Sequence, residues 1–310
     1  PDRMLDFFGS RLLTWLTAPY RTRMVRLAAK PFLALAERLQ EYGIHVVYGI
    51  VGYKTHAKML LIARREGEKL RHYVHLGTGN YHPKTAQIYT DYGLLTCNKQ
   101  IGDDVYRVFL QLTSLGKVSK LECLYQSPFT LHKNLMRKID REIEFAKAGK
   151  PARVLAKMNS LYEEQLVRKL YEASQAGVQI DLIIRGICQI RPGIKGISEN
   201  IRVRSIVGRF LEHTRAFCFH NDNDPDVILA SADWMSRNMF YRVEAGFPLL
   251  TKKLRDKVIK DLELYMTDNL QAWELDADGR YHQQKPNGHD PLSAQMMLLE
   301  EAIGSGSLTP

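Results

Sequence analysis

The amino-acid sequence predicts an α/β protein of two lobes, each built as a mixed sheet flanked by helices. Three observations support this fold class. Segments with the apolar spacing of helices alternate with apolar runs typical of strands along the 310 residues. The alternation begins again after Ser127, and a pair of short polar motifs recurs in the same order in both halves. Alternating strands and helices are the pattern of layered α/β architectures.

The first half of the chain contains the elements that would form the smaller lobe. Apolar residues at helical spacing predict a helix over 24–42, and Gly43 is typical of a helix C-cap. Continuous apolar runs then predict strands at 45–51, 55–63 and 70–76. The tight loop Gly77–Asn80 follows, where small residues leave the backbone accessible, and a helix is expected at 103–114.

The second half contains more elements and would form the larger lobe. Amphipathic spacing predicts helices over 130–148, 161–176 and 251–271. Apolar and β-branched runs predict strands at 154–158, 178–184, 201–207, 213–220 and 227–230. The tail, 276–310, is rich in Gly, Pro and polar residues, so we expect loops and one short helix there.

The repeated motifs pair a histidine with a cation. His56 and Lys58 precede Gly77–Asn80, and His213 and Arg215 precede the segment 231–234 (SADW). Because residues i and i+2 of a strand project from one face, each histidine should lie beside its cation. An imidazole next to a fixed cation suits attack on a phosphoryl group, since the cation keeps the ring neutral and balances charge on the phosphoryl oxygens.

The distribution of charge indicates an anionic partner. The net charge is +10, and residues 1–120 carry +9 of it, with 18 Lys/Arg against 9 Asp/Glu. A local excess lies in residues 180–215, which hold seven cations and three acids. Because this excess of positive charge is spread through sequence with the pattern of folded elements, it predicts a basic cleft. No run approaches the ~18 apolar residues of a membrane-spanning helix, and no secretory signal is present. Four scattered cysteines fit reduced thiols, so we expect a cytoplasmic protein, at most peripherally associated with a membrane.

The histidine motifs resemble those of the phospholipase D superfamily, in which His-x-Lys-x4-Asp recurs in two lobes facing one cleft. This sequence departs from that motif, because Ala63 and His220 stand at the two Asp positions and Arg215 replaces the second Lys. Longer segments are similar to the C-terminal half of bacterial polyphosphate kinases, among them YKTHAKMLLI, HLGTGNYHPKTAQIYTDYGLLT, IDLIIRGICQIRPG and SADWMSRNMFYRVE. The likeness runs from about Leu35 to near residue 300.

The resemblance implies a boundary between lobes and an activity. It implies a divergent segment at 1–34, a truncated first lobe at 35–126 and a second lobe with its tail at 127–310. In the family, the histidine of THAKM, here His56, takes the γ-phosphate of ATP and passes it reversibly to polyphosphate. The histidine of EHTRAFCF, here His213, is implied to assist as an acid/base or a second phosphate contact.

Further site residues and cofactors follow from the same resemblance. The family's nucleotide and phosphate contacts match Tyr89, Arg185 and Glu244; we also weigh Glu244 as an orienting group for a histidine or a Mg²⁺ ligand. The superfamily-like geometry adds Lys58, Asn80 and Arg215 as catalytic or phosphate-binding residues. Mg²⁺ is the expected cofactor because it bridges nucleotide phosphates. Arg21 and Arg26 are weak matches to the family's Mg-site arginines.

The expected partners are ATP or ADP, inorganic polyphosphate and further copies of the chain in a homo-oligomer, with no specific nucleic acid. Two other interpretations stay open at this point. One is a polyphosphate-binding fragment that cannot turn over, and the other is a phospholipase D-like phosphodiesterase, which the missing Asp residues disfavour.

Overall fold

The computed structural model describes residues 34, 36–47, 50, 52–113 and 120–305. Residues 36–41 are helical. The strands are β1 Lys54–Thr55, β2 Lys58–Glu66, β3 Lys69–Gly77, β4 Tyr89–Thr90, β5 Gly93–Thr96, β6 Tyr125–Ser127, β7 Arg153–Met158, β8 Gln179–Ile184, β9 Ile201–Ile206, β10 Leu211–Glu212, β11 Ala216–Phe219, β12 Asp226–Ala230, β13 Arg242–Pro248, β14 Ala272–Leu275 and β15 Tyr281–Gln283. The helices are α1 Pro83–Ala86, α2 Lys99–Leu112, α3 Leu131–Lys147, α4 Glu164–Gln175, α5 Ser236–Phe240, α6 Lys252–Thr267 and α7 Ala294–Ser305.

A mixed sheet forms the centre of the second lobe, the name we keep for residues after 126. Its strand order is β1-β13-β12-β11-β7-β8-β9-β14-β15, and β6 pairs with β13 beside β1. The β7-β8 and β8-β9 pairs are parallel, the first connected by α4 and the second by the segment 185–200, and the other pairs within this lobe are antiparallel. This α/β arrangement of sheets flanked by helices confirms the predicted fold class.

The central sheet is buried on both faces, which explains why its strands are continuous apolar runs. Leu182 of β8 joins the core formed with α3 and α4, whereas its neighbour Ile183 joins the core on the opposite face. That second core contains Val258 and Leu262 of α6. It also contains buried apolar residues of the first lobe, namely Met59, Val74, Leu76, Ile101, Val105 and Val108. The two lobes therefore share one core.

The first lobe, residues before 127, centres on a three-stranded antiparallel sheet in the order β2-β3-β5, with α2 packed on it. Two short strands of this lobe pair instead with strands of the second. Strand β1 runs parallel to β13, with Thr55 opposite Val243, and β4 runs parallel to β10, with Tyr89 opposite Leu211. These two pairings place residues of both lobes at the same joint.

Several predicted elements differ in the structure. The strand expected at 55–63 is divided into β1 and β2, because the N–H groups of His56 and Ala57 both donate to the Val243 carbonyl at 2.8 and 3.0 Å. The strand expected at 213–220 begins only at Ala216, because the N–H of His213 donates to Thr90 Oγ1 at 3.2 Å instead of entering the ladder. Neither histidine therefore lies within a strand.

Other differences concern strands and helices near the start and the end of the predicted pattern. Described residues of the segment 45–51 form no strand, because no described strand pairs with them, although Val46 is buried. The helix predicted at 251–271 ends at Thr267, where Asp268 accepts three backbone N–H groups that lead into β14. The tail predicted as loop contains β15 beside the expected helix, and β13 was not predicted. Most of the helix predicted at 24–42 lies outside the described residues. No helix of the described part is both long and apolar enough to cross a membrane.

Candidate functional site

The first histidine lies where β1 and β13 meet. His56 Nδ1 is 2.9 and 2.8 Å from the two carboxylate oxygens of Glu244, and Lys58 Nζ is 2.8 Å from His56 Nε2. Thr55 pairs with Val243, so the residues that follow them, His56 and Glu244, are brought side by side. His56 and Lys58 therefore meet as the sequence predicts, although a break between β1 and β2, not a continuous strand, brings them together.

Glu244 is fully buried and has a complete set of donors. Its carboxylate accepts from Ser231 Oγ and from Asn238 Nδ2 at 2.6 Å, as well as from His56. Burial opposes its ionisation, but its interactions with His56, Lys58 and Ser231 outweigh that effect and hold the Glu244 pKa below its usual value. An ionised carboxylate only accepts, so the proton of His56 is on Nδ1, and the lone pair on Nε2 faces Lys58 Nζ.

The two basic groups beside Glu244 both lose affinity for protons. Burial lowers the pKa of His56 to about 4, and Lys58 adds to the shift, while Glu244 opposes it. Burial also lowers the pKa of Lys58 to about 7, assisted by the charge of Arg215. His56 is therefore a neutral imidazole at neutral pH, the form required of a nitrogen nucleophile.

The second histidine repeats this arrangement with residues of opposite lobes. His213 Nδ1 lies 2.9 Å from both carboxylate oxygens of Asp91, and Arg215 Nη1 lies 2.9 Å from His213 Nε2. Arg215 is held in turn by Asp233, whose two oxygens accept from Nε at 3.2 Å and Nη2 at 3.1 Å. Burial opposes ionisation of Asp233, but Arg215 and Asn159 lower its pKa to about 2. Burial lowers the pKa of His213 as well.

The two pairs connect the lobes reciprocally. The first-lobe histidine bonds to a second-lobe carboxylate, and the second-lobe histidine bonds to a first-lobe carboxylate. The small-residue loop completes the joint, because Thr78 Oγ1 donates to Asp91 at 2.7 Å and the Thr78 carbonyl accepts from Arg215 at 3.4 Å. Gly79 leaves space for that carboxylate: a Cβ at residue 79 would lie 2.2 Å from Asp91 Oδ2.

The remaining expected site residues lie around these pairs. The ring of Tyr89 packs against His213, with centroids 4.8 Å apart and a tilt of 44°. Arg185, at the carboxyl end of β8, donates from Nε to Asn159 Oδ1, and Asn159 also donates to Asp233 at 3.0 Å. Asn80 is the last residue of the loop Gly77–Asn80, and its buried Oδ1 has no hydrogen-bond partner among the described residues.

Sequence reasoning missed several groups of this site. Asp91 was missed because it lies 122 residues from its histidine, and no local pattern links the two. Ser231 and Asp233 belong to the repeated SADW segment, so the repeat was the signal that singled them out without giving them a role. Three further cations lie near Glu244 and have no carboxylate partner among the described residues, namely Lys54, Arg237 and Arg242.

The described residues do not fit a magnesium ion held by the protein itself. Within the described ranges, no cluster of three His, Cys, Asp or Glu side chains could hold a metal ion. Glu244, weighed above as a magnesium ligand, already accepts from three side chains. Arg21 and Arg26, the weak matches to the family's Mg-site arginines, lie outside the described residues.

Comparison with protein families identifies the group to which these features belong. The model described as polyphosphate kinase C-terminal domain 1 matches residues 24–118, and the model for C-terminal domain 2 matches residues 124–295. This chain belongs to the polyphosphate kinase family. The first match starts at residue 24, ahead of Leu35, where the quoted motifs suggested that the likeness begins.

Individual polyphosphate kinases show the same relationship. The polyphosphate kinase of Xylella fastidiosa strain 9a5c is 61% identical over 270 residues, which cover 86% of this chain and 39% of that protein. The protein from Pseudomonas aeruginosa is 53% identical over 270 residues, 87% of this chain and 39% of its own length. The crystal structure of polyphosphate kinase from Porphyromonas gingivalis aligns with a TM-score of 0.84 at 38% identity, covering 88% of this chain and 42% of that one. The chain thus spans about two fifths of the length of these curated relatives.

Proposed function

We propose that this chain transfers the γ-phosphate of ATP reversibly to inorganic polyphosphate, through a phosphohistidine formed on Nε2 of His56. The observation that carries the proposal is the pairing of His56 with Glu244. Because the carboxylate holds the Nδ1 proton, the Nε2 lone pair is directed toward Lys58 and away from the buried acid. An oriented neutral imidazole beside a cation is the arrangement that nucleophilic attack on phosphorus requires.

In the first step, Nε2 of His56 attacks the γ-phosphorus in line with the bond to the β-phosphate. The Nε2–P bond forms, the P–O bond breaks, and its electron pair leaves with ADP. The ring then carries a positive charge, with the proton still on Nδ1. Buried Glu244 stabilises that charge at 2.8 Å without moving a proton, as the carboxylate of a catalytic triad does for its imidazole.

In the second step, a terminal oxygen of polyphosphate attacks the same phosphorus. The N–P bond breaks, its electron pair returns to Nε2, and the neutral imidazole is regenerated, so the cycle needs no net proton transfer. Lys58 contacts the transferring phosphoryl oxygens in both steps, and an anionic substrate favours its charged form. His213, held by Asp91 and Arg215, provides a second contact to the phosphates or a proton acceptor beside them.

The other site residues bind the nucleotide and the phosphate chain. Tyr89 stacks on the adenine, and Arg185 holds phosphate oxygens, as guanidinium groups do bidentately. Arg215, held by Asp233, adds its positive charge to the phosphate site. Asn80 contributes an amide whose oxygen has no partner among the described residues. Magnesium enters as part of the ATP complex, because it bridges the phosphates of the nucleotide. We further propose a cytoplasmic location and a homo-oligomer.

Labelling of the chain tests this function. Incubation with γ-³²P-ATP and Mg²⁺ should give an acid-labile, base-stable label that is absent from His56→Gln. His282→Gln is the matched control, because His282 is an exposed histidine on β15 paired with Asp276. Label retained in His56→Gln contradicts the proposal. Salt-sensitive polyphosphate binding without any label would instead select the inactive binding fragment.

A phosphodiesterase of the phospholipase D type remains the other chemical alternative. It predicts release of product from a phosphodiester in the absence of ATP. His220 directly follows β11, and its buried Nδ1 has no hydrogen-bond partner in the described part of the chain; Ala63 lies within β2. Neither position supplies the carboxylate that the superfamily motif has there, so the phosphotransferase is the better supported function.

A further inference from the structure

We infer that Gln295, Glu212 and Lys157 form a buried network that positions Tyr89 and His213 for nucleotide binding. The inference rests on the proposed function, because it gives these residues a role in ATP use. None of the three residues contacts the proposed reacting atoms, so each acts through others as a positioning residue.

Glu212 is the centre of the network and is almost completely buried. Its carboxylate accepts from Lys157 Nζ at 2.5 Å, Gln295 Nε2 at 2.5 Å and Thr90 Oγ1 at 2.8 Å, and it also bonds to the Tyr265 hydroxyl. Burial opposes ionisation, but Lys157 and the other donors hold the Glu212 pKa below its usual value. A buried carboxylate with this many donors has one favourable orientation.

Thr90 connects the Glu212 carboxylate to the backbone of His213. Its hydroxyl lies between Glu212 and the N–H of His213, which donates to it at 3.2 Å. Its carbonyl accepts from Thr214 Oγ1 at 3.0 Å. Tyr89 and Asp91 flank Thr90 in sequence, and both contact the ring of His213. Movement of Thr90 would therefore disturb the stacking partner and the carboxylate partner of His213 together.

Gln295 connects the C-terminal helix α7 to Phe210 and Glu212, beside the paired strands β4 and β10. Its amide oxygen accepts from the N–H of Phe210 at 2.9 Å, and its amide nitrogen donates to the Phe210 carbonyl at 2.8 Å. Gly208 leaves space for the side chain, since a Cβ there would lie 2.6 Å from Gln295 Oε1. The segment leading into His213 is thus attached at Phe210 and Glu212 by one side chain that is 2% exposed.

Stability alone does not account for this arrangement. A buried ion pair with its desolvation cost contributes little net stability compared with apolar side chains of similar volume. Its directional bonds instead fix geometry. Here the groups they fix are those that contact His213, which is why we assign the network to positioning.

The test compares ATP-driven with polyphosphate-driven labelling of His56 in Gln295→Met, which keeps the length of the side chain and removes its hydrogen bonds. Polyphosphate has no base for Tyr89 to stack on, so the two donors separate a nucleotide effect from a general one. We expect the ATP concentration for half-maximal labelling to rise about tenfold, as loss of a hydrogen bond to a charged group implies. The limiting rate and the polyphosphate dependence should change much less.

One control variant completes the test. It is Glu301→Gln on α7, because Glu301 pairs with Lys257 and Lys260 and lies outside the network. This substitution should leave the ATP dependence unchanged.

The outcomes distinguish this inference from the proposed function. Unchanged ATP dependence in Gln295→Met, with a wild-type chain that labels, overturns the inference and leaves the proposed function standing. An equal loss of affinity for ATP and polyphosphate also overturns it, since the network would then act on the phosphate contacts common to both donors or on the fold, and not on nucleotide binding. A wild-type chain that takes no label from either donor overturns the proposed function and the inference with it.

Discussion

His56 and Glu244 lie 188 residues apart in sequence, yet His56 Nδ1 is 2.8 Å from Glu244 Oε2 in the folded chain. The carboxylate is fully buried, whereas the imidazole keeps 12% of its side-chain surface exposed. Nδ1 is therefore held by a buried carboxylate, and Nε2 faces the ammonium group of Lys58. Asp91 and His213 repeat this relationship with the lobes exchanged.

Glu244→Gln should slow labelling of His56 on the order of 10⁴-fold, as the same change of the orienting carboxylate does in a catalytic triad. The amide keeps the shape of the side chain but cannot balance the positive ring of the intermediate. Single-turnover labelling with γ-³²P-ATP measures the effect, and Glu199→Gln, outside the site, is the control. A rate within about threefold of wild type would contradict the role of Glu244.

The pH dependence of labelling at low ATP should show two limbs. Labelling rises as His56 loses its proton near pH 4, well below the ordinary histidine value of about 6.5, and falls as Lys58 loses its proton near pH 7. Lys58→Arg should remove the fall on the alkaline side, because a guanidinium stays charged there. An alkaline limb unchanged in this variant would exclude Lys58 as its source.

Gly79→Ala should remove the Asp91 carboxylate from its contact with His213 while leaving the histidine itself unchanged. The new methyl group would lie 2.2 Å from Asp91 Oδ2 and displace the carboxylate from His213. We expect the loss of labelling rate to match that of Asp91→Asn, and the double variant to lose little more. Gly304→Ala is the control, since no atom of the residues that the structure describes lies within 4 Å of its Cβ position. Fully additive losses would show that the two residues act independently.

Arg215→Met should destabilise the chain by about 3–5 kcal/mol, because it leaves the buried Asp233 carboxylate without its cation. Urea unfolding measures the change. Adding Asp233→Leu should recover a large part of the loss, since the uncompensated charge is then removed. If the double variant were as unstable as the sum of the two single ones, the pair would not be coupled.

The sequence predicts local features of this fold well and its long-range contacts poorly. Helices α3 and α4 and strand β8 lie close to their predicted positions because apolar periodicity and flanking glycines are local signals. Strand β13 was missed, although it carries Glu244 and alternates Val243, Ala245 and Phe247, because Gly and Pro, here Gly246 and Pro248, are atypical of strands. Asp91 illustrates the same limit for the site: its role depends on the pairing of β4 with β10, which no segment of sequence encodes alone.

The repeated histidine motifs were the most informative part of the sequence. They predicted that His56 meets Lys58 and that His213 meets Arg215, and both contacts exist. Each histidine nevertheless lies in a break between two strands and not within a strand, His56 between β1 and β2 and His213 between β10 and β11. The spacing of two residues was sufficient because the backbone is extended enough on either side of the break to keep the side chains together.

Glu244 holds the proton of His56 on Nδ1, so that Nε2 is the nitrogen that takes the phosphate. Phosphorus NMR of the denatured, labelled chain distinguishes phosphate on Nε2 from phosphate on Nδ1. The account predicts a single phosphohistidine signal from the Nε2 isomer, lost in His56→Gln. A signal from the Nδ1 isomer would contradict it, because the buried carboxylate would then not be what sets the reacting nitrogen.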